Sequence, residues 1–393
     1  MRMDKEQLNE IKAKYNVDEL WSFSKVHCYE VSPYNYFLKY IKHIKETDKT
    51  SIYSESGSSV HSILEKFYNG EIAYEQMIEQ YNESLTIFNI ADLKYNKSDV
   101  EKNAAIANKY EECIKHFLCT HQKIPGKTRT EEFLITKVGK YVFQGYADMI
   151  GKIGDQWTIY DFKTSTKYTG DKIILESAQL LLYVQSLMQH GIALENINCC
   201  WDFCKYVHVK YLQKNGKYKE RDIERNALGT SLAASAKTKL KDAKYHEDEI
   251  NNFIEQMILT NSITCLPKDI AQSYELSDCL IYVPLTQEII DNFNTKLLNT
   301  LNEIEEKTQA TKNALNEEEQ DLIWWDSDEL LKSNSYYHMN LNGYTKEQHK
   351  PWGAYCKKMD MGADNNNDIF YQIEKSRSST GEVIDLSWLE EFA

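Results

Sequence analysis

Proline and glycine are scarce in this chain, with 5 and 15 copies among 393 residues. So few of them argue against long linkers and low-complexity tracts. Nowhere do about 18 apolar residues follow one another, and the first residues lack the apolar stretch of a signal peptide. We therefore expect a cytoplasmic protein that does not act at a membrane, and a hydrophobic content of 42% is ample for a large core.

Two cofactor motifs are missing as well. The nine cysteines are irregularly spaced and include no CxxC pair, so the usual zinc-site and thioredoxin spacings are absent. Gly126-Lys127-Thr128 resembles part of a phosphate-binding loop, but the first glycine of that motif would fall at His121, and no strand precedes it. We expect neither disulfides nor a bound nucleotide.

Charge is unevenly distributed along the chain. The formal net charge of −14 speaks against a polyanionic partner, yet residues 205–244 contain eleven Lys or Arg against four Asp or Glu. Asn215-Gly216 within this segment predicts the turn of a β-hairpin. The basic side chains of the hairpin fit two interpretations equally, contact with a phosphate backbone or a solvated ribbon. They are Lys210, Lys214, Lys217, Lys219 and Arg221.

The most informative stretch runs from Tyr141 to Lys163. Aromatic and β-branched residues fill two runs on either side of a Gly-containing turn, which predicts a β-hairpin. If the hairpin is symmetric about residues 154–155, Asp148 lies opposite Asp161, and Lys163 shares a face with Asp161. Directly opposed like charges are destabilising. The pattern therefore predicts a cation between the two carboxylates.

The elements around this hairpin can be predicted only coarsely. A strand at 131–138 precedes it and completes a three-stranded meander, and a long strand at 197–212 follows. From residue 231 onward the pattern is mostly helical, with an amphipathic helix at 285–310.

Two predicted helices carry polar pairs at a spacing of four. His61 and Glu65 share one face of a helix that begins after a Gly/Ser-rich segment, and Gln179 and Tyr183 share a face of a later helix. Two carboxylates and an imidazole suit a hard divalent ion, and Mg²⁺ or Mn²⁺ fits best. A lysine beside them can orient water and stabilise a pentavalent phosphate. These are the components that metal-assisted phosphodiester hydrolysis requires.

Four segments in this order resemble the PD-(D/E)XK nuclease superfamily, and within it the RecB-like branch of bacterial and phage exonucleases: GSSVHSILE, GYADMIG, IYDFKTS and QLLLY. The resemblance extends from about Trp21 to His208. It implies an α/β fold whose restriction-endonuclease-like core is a central mixed β-sheet flanked by helices, with helical additions at both ends. We accordingly divide the chain into a nuclease domain at 1–284, with a core at 21–225 and a helical insertion at 71–122, and a helical, loop-rich region at 285–393.

The resemblance also implies roles for individual residues. The metal ligands are His61, Asp148, Asp161 and the carbonyl of Phe162. Lys163 is the catalytic lysine, Gln179 and Tyr183 orient substrate and active-site groups, and Glu65 is a supporting residue. The implied reaction is attack of metal-activated water on DNA phosphorus, which leaves a 5′-phosphate and a 3′-hydroxyl.

Several RecB-like relatives hold an iron–sulfur cluster with four cysteines, and this chain departs from that pattern. The position of the first cysteine is Ser32, and Cys356 stands alone towards the C-terminus. Four such ligands are needed, so we expect no cluster. Packing around Trp324, Trp325 and Trp352 is expected to replace it.

These observations predict a Mg²⁺-dependent DNA nuclease, with Mn²⁺ as a substitute. Exonuclease action in recombination or DNA-end processing is favoured, and a phage or mobile-element origin would place the protein in the host cytoplasm. A recombination or single-strand-annealing protein is the partner that the resemblance suggests. Two alternatives stay open: a catalytically idle nuclease-like subunit that binds DNA or protein, and a structure-specific or defence endonuclease. The oligomeric state is not predicted.

Overall fold

A mixed β-sheet of six strands forms the centre of the computed structural model, which describes residues 3–44, 51–97, 99–327 and 330. Trp352, Cys356 and the acidic C-terminal peptide lie outside the described residues. The strands are β1 Lys127–Val138, β2 Tyr141–Ile153, β3 Gln156–Lys163, β4 Ile197–Leu212, β5 Tyr218–Glu224 and β6 Tyr274–Tyr282.

The first three strands form the predicted antiparallel meander, and β4 then runs parallel to β3. Strand β4 is long enough to have two neighbours along one edge, β3 beside its first half and β5 beside its second half. Strand β6 pairs antiparallel with the other edge of β4, with an irregularity between Asp202 and Val207. The mixed sheet flanked by helices is the restriction-endonuclease-like α/β fold that the sequence predicted.

Helices cover both faces of this sheet. They are α1 Lys5–Tyr15, α2 Phe23–Val31, α3 Pro33–Tyr36, α4 Ile52–Tyr68, α5 Gln76–Ile90, α6 Val100–Thr120, α7 Lys172–Leu175, α8 Ala178–Gln189, α9 Leu228–Asp242, α10 Glu247–Leu259, α11 Lys268–Ala271, α12 Gln287–Asn313 and α13 Glu317–Trp324. A π-helical turn at Phe37–Ile41 continues α3, and short 3₁₀ turns lie at Leu194–Asn196 and Arg225–Ala227. None of the helices in the described part of the chain is long and apolar enough to cross a bilayer.

The apolar side chains divide the helices between the two faces. Helices α4, α5 and α6 pack against Tyr160 and Phe162 of β3. Helix α8 and the start of α12 pack against Ile159 and against Trp201 and Phe203 of β4. Helices α9 to α11 cover the second half of β4. Alternate residues of β3 therefore face different helices, and this places Asp161 and Lys163 on the side of α8.

Two expectations about the elements need correction. The segment that forms β6 was expected to be helical, but it is a strand at the edge of the sheet. Only one edge of β6 pairs with β4, so the strand keeps several exposed polar residues, and these hide its apolar pattern in the sequence. Helix α4 begins at Ile52, so the Gly/Ser-rich segment is part of the helix. The packing around Gly57 would also accept a larger residue, since an added Cβ would contact only the Thr164 hydroxyl oxygen, at 3.5 Å. The helix predicted at 285–310 is confirmed as α12, which runs on to Asn313.

The C-terminal helices are tied to the N-terminal segment. Trp324 of α13 is buried and stacks on Tyr36 and Phe37, with both ring centroids 5.6 Å away. Asp326 accepts hydrogen bonds from the Ser32 hydroxyl at 2.7 Å and from the Tyr34 amide at 2.9 Å. Ser32, the residue at the expected position of a cluster cysteine, thus contacts the chain after α13.

Candidate active site

The β2–β3 hairpin has the predicted register. Met149 pairs with Tyr160 and Ile150 with Ile159, so the hairpin is symmetric about residues 154–155. Gly154 in the turn has φ +59°, which glycine adopts readily. The ladder ends at Met149 and Tyr160. Asp148 and Asp161 therefore lie one step beyond the last pair, where the two strands separate.

The backbone of Phe162 is bound by side chains where the ladder ends. Its N–H donates to Asp148 Oδ2 at 2.8 Å. Its carbonyl accepts from His61 Nε2 at 2.8 Å, and the other ring nitrogen of His61 lies 3.4 Å from Asp148 Oδ1. Buried backbone groups need partners. His61 and Asp148 supply them here, so helix α4 is joined to the end of the β2–β3 hairpin through these two residues.

Lys163 and Asp161 form an ion pair on the face covered by α8. The Nζ atom lies 2.8 Å from Asp161 Oδ2, and Asp161 is only 4% exposed. Burial raises the pKa of Asp161. The Lys163 ammonium lowers this pKa and the neighbouring Asp148 carboxylate raises it, and the overall shift is upward. Burial disfavours the charged form of Lys163, but Asp161 outweighs this and raises the lysine pKa. The pair is thus a buried charge pair whose members depend on each other.

His61 and Asp148 form the second charged pair. Burial works against the imidazolium, but the Asp148 carboxylate outweighs it and raises the pKa of His61 to about 8. Burial also opposes ionisation of Asp148, yet His61 and Lys163 together lower the pKa of that carboxyl. The pKa shifts of His61, Lys163 and Asp148 thus all favour the charged forms, whereas that of Asp161 favours the protonated acid.

The donor atoms at this position fit a hard divalent ion. His61 turns Nε2 to the Phe162 carbonyl oxygen and Nδ1 to the Asp148 carboxylate, and carboxylate, carbonyl and imidazole groups are ligands that Mg²⁺ and Mn²⁺ accept. Among the described residues, the ligand atoms of His61, Asp148 and Asp161 do not all lie within 4.8 Å of one another. The 2.8 Å between His61 Nε2 and the Phe162 oxygen is close to the separation of about 2.9 Å between adjacent ligands in an octahedral shell with bonds of 2.0–2.1 Å. An ion here would take the place of the proton that His61 now donates.

Gln179 and Tyr183 hold helix α8 against β2. Gln179 Nε2 donates to the Tyr183 hydroxyl at 2.8 Å, and this hydroxyl donates to the Tyr146 carbonyl at 2.8 Å. A Cβ at Gly145 would lie 2.6 Å from the Tyr183 ring, so only glycine allows the ring to lie on the strand. Sequence reasoning missed the role of Gly145, although it is the first residue of the GYADMIG segment that carries Asp148.

Glu65 does not join this group. It lies one turn after His61 on α4, and its side chain forms no hydrogen bond or ion pair with the residues that the structure describes.

The basic hairpin formed by β4 and β5 closes through the predicted turn, with Gly216 at φ +74° and Leu212 paired with Tyr218. Acidic partners neutralise part of its charge: Lys210 pairs with Glu220 at 3.2 Å and Lys214 with Asp242 at 2.7 Å. Arg221 donates to the Ser231 carbonyl. Lys217 and Lys219 are exposed and form no ion pair within the described part of the chain.

The hairpin follows the end of β3 along the same edge of β4. Lys163 is level with Phe203 and Lys219 with Tyr211, which places the two lysines about 26 Å apart along the strand at roughly 3.3 Å per residue. Lys167, just after β3, donates to Asp222 of β5 at 2.6 Å and connects the two parts. Sequence spacing gave no sign of this contact because 55 residues separate the partners.

Comparison with known proteins gives one result. A family model described as the PD-(D/E)XK nuclease superfamily matches residues 20–264. No curated protein matches the chain. The matched range includes the whole basic hairpin but ends before β6 begins. It also includes the residues of the candidate site, which are His61, Asp148, Asp161, Phe162, Lys163, Gln179 and Tyr183.

Proposed function

Because the chain belongs to the PD-(D/E)XK nuclease superfamily, whose members generally use divalent metal ions, we propose that it is a Mg²⁺-dependent deoxyribonuclease. Mn²⁺ is the expected substitute. The products are a 5′-phosphate and a 3′-hydroxyl. We further propose that the enzyme is an exonuclease that acts on DNA ends in recombination or end processing, in the cytoplasm, with a recombination or single-strand-annealing protein as its partner.

One observation carries this proposal. Asp148, Asp161 and Lys163 come together at the end of the β2–β3 ladder, and His61 reaches the same point from α4. Two neighbouring carboxylates destabilise each other unless a positive charge lies beside them. All four residues are retained, whereas a catalytically idle relative is expected to lose one of them. The arrangement therefore favours an active enzyme over a binding subunit.

The proposed roles follow from the contacts. His61, Asp148, Asp161 and the Phe162 carbonyl would hold the ion. When bound, the ion supplies Lewis-acid activation of a water molecule and neutralises charge on the phosphate. The Lys163 ammonium opposes the effect of burial on Asp161, and it is placed to stabilise the negative charge that develops on phosphorus-bound oxygen. Gln179 and Tyr183 fix the distance between α8 and β2 and thereby orient the site.

The exonuclease proposal rests on the resemblance to the RecB-like branch, since the four segments occur in that order along the chain. The basic hairpin supports a DNA substrate in a simpler way. Lys219 lies on β5 and Lys217 just before it, and β5 pairs with the same edge of β4 as β3, the strand that contains Lys163. A duplex or single strand that enters the site from this side would pass over them.

A single gel tests these proposals. Purified protein with Mg²⁺ is incubated with end-labelled linear duplex, single-stranded and covalently closed circular DNA. Digestion of linear DNA alone supports an exonuclease, and nicking of the circle identifies an endonuclease. If the wild-type protein binds DNA but leaves every substrate intact, the binding subunit is the correct interpretation. Lys163→Ala should abolish cleavage, and Lys137→Ala, at an exposed lysine of β1, is the matched control.

A further inference from the structure

Three polar side chains converge on the face of the sheet opposite Asp161 and Lys163. Asp202 of β4 is in register with Phe162 of β3, so both point towards α4 and α6. His121 ends α6, and Asp278 lies on β6. One donor atom from each of His121, Asp202 and Asp278 lies within 4.8 Å of the other two. Three elements that are distant in sequence thus present ligand atoms to one small volume.

Asp202 is the unusual member of this cluster, which we call the His121 cluster. It is 1% exposed, and neither carboxylate oxygen has a hydrogen-bond partner among the described residues. An isolated buried carboxylate is strongly unfavourable, so buried acids are normally paired or bind a metal. The buried Arg225 does not serve Asp202, because its guanidinium donates to Asp278. Asp202 is therefore a buried carboxyl group without a hydrogen-bond partner among the described residues, and it lies beside a second acid.

The imidazole of His121 is held in a fixed orientation. Its Nδ1 atom lies 2.8 Å from Asp278 Oδ2, and its Nε2 atom lies 2.8 Å from the Tyr68 hydroxyl. The same hydroxyl accepts a hydrogen bond from the Ile124 amide at 3.0 Å. Histidines that bind metals commonly have their second ring nitrogen bound to an oxygen in this way, which fixes the ring and its tautomer. Nδ1 is therefore the nitrogen that faces Asp202 and Asp278.

We propose that His121, Asp202 and Asp278 bind a divalent transition-metal ion, and that this ion is Zn²⁺. One imidazole and two carboxylates are zinc ligands, and three protein ligands leave a fourth position for water. Asp202 is only 1% exposed, and such dry surroundings disfavour Mg²⁺, which retains several of its waters. The ion links α6, β4 and β6 behind the strands that carry the catalytic residues. This site is separate from the nuclease site and does not depend on the proposed reaction.

Metal content of the full-length protein tests the proposal directly. The protein is saturated with Zn²⁺, freed of excess ion by gel filtration and analysed by mass spectrometry of the metal. We expect the wild type to retain about one zinc per chain. Asp202→Asn and His121→Gln should bind zinc at least roughly tenfold more weakly, and Tyr68→Phe should weaken binding by about 10- to 100-fold. Asp161→Asn, at the nuclease site, should retain the zinc of the His121 cluster.

Thermal unfolding with and without chelator provides a second readout. The wild type should lose stability when the chelator removes zinc, whereas Asp202→Asn should unfold at the same temperature in both conditions. Asp202→Asn is the decisive variant, since it removes a buried charge and is expected to fold. The proposal is overturned if Asp202→Asn retains as much zinc as the wild type. It is equally overturned if the wild type binds no zinc and its unfolding temperature does not respond to the ion.

Discussion

Replacement of Lys163 by methionine should destabilise the protein as well as inactivate it. Methionine retains the length and apolar part of the side chain but removes the charge 2.8 Å from Asp161 Oδ2. Removing one partner of a buried ion pair costs about 3–5 kcal/mol, because the other charge is left uncompensated. The Lys163 side chain is 28% exposed, so we expect a loss at the lower end, about 3 kcal/mol without divalent ions.

A double-mutant cycle separates this pair from other effects of the substitution. Asp161→Asn removes the repulsion with Asp148 as well as the ion pair, so the Asp161→Asn/Lys163→Met protein should be more stable than the sum of the single losses predicts. We expect a coupling energy of about 2 kcal/mol, within the range of contacting residues. Mg²⁺ should restore more stability to Lys163→Met than to the wild type, since two carboxylates then face the ion without a competing ammonium.

The assay is urea unfolding followed by circular dichroism, in EDTA and in Mg²⁺, with the m-value monitored for each variant. Lys137→Met on β1 is the control for loss of an exposed lysine, and its free energy of unfolding should stay within about 0.5 kcal/mol of the wild type. If Lys163→Met in EDTA is as stable as this control, the ion pair does not hold Asp161, and the charge balance described for the site is wrong.

Three further predictions concern the surroundings of the site. Gly145→Ala should displace Tyr183 and lower activity, because the added Cβ lies 2.6 Å from the ring, and the free energy of unfolding should fall by about 1–3 kcal/mol. Gly57→Ala in α4, where there is space for a Cβ, is the control. Equal effects of the two changes would contradict the steric argument. Burial and the neighbouring Arg225 lower the pKa of His116 to about 4, below its value in the unfolded chain, so its contribution to stability is complete above about pH 6.5 and is lost as pH falls through 4. His116→Gln should remove about 3 kcal/mol of this acid sensitivity between pH 7 and 4, and urea titrations that give parallel pH profiles for both proteins would refute the assignment. Neutralising Lys214, Lys217 and Lys219 of the basic hairpin should reduce the slope of DNA affinity against salt concentration. The control neutralises three exposed lysines on helices, Lys268, Lys296 and Lys312. If both triple variants have the same slope, the hairpin lysines face solvent and do not contact DNA.

The part of the fold that follows from local sequence could be predicted well. The register of β2 and β3 depends on a turn and on the residues beside it, so the pairing of Met149 with Tyr160, one step before Asp148 and Asp161, could be predicted from the sequence. The same holds for Gln179 and Tyr183, which are four apart on one helix. Short-range geometry fixes such pairs without knowledge of the rest of the chain.

Contacts between distant segments could not be predicted in this way. His61 reaches Phe162 across 101 positions, and only a resemblance to a family suggested that the two meet. Asp278 contacts His121 across 157 positions on a strand that looked helical in sequence. A lone Asp202 in the apolar run of β4 was the one available sign of the His121 cluster. Burial of a charge depends on tertiary packing, which a one-dimensional pattern does not encode.

The continuity of β4 has a consequence for the length of the products. One continuous strand pairs with β3 as far as Phe203 and with β5 from Tyr206 onward, so its length sets the distance between the end of β3 and the basic hairpin. A separation of about 26 Å corresponds to about eight nucleotides at roughly 3.4 Å each. If DNA follows the proposed path over the basic hairpin, a fragment shorter than this would not occupy the proposed cleavage point and reach Lys219 at the same time. Digestion should therefore slow sharply at oligonucleotides of about eight residues, and the smallest fragments should accumulate.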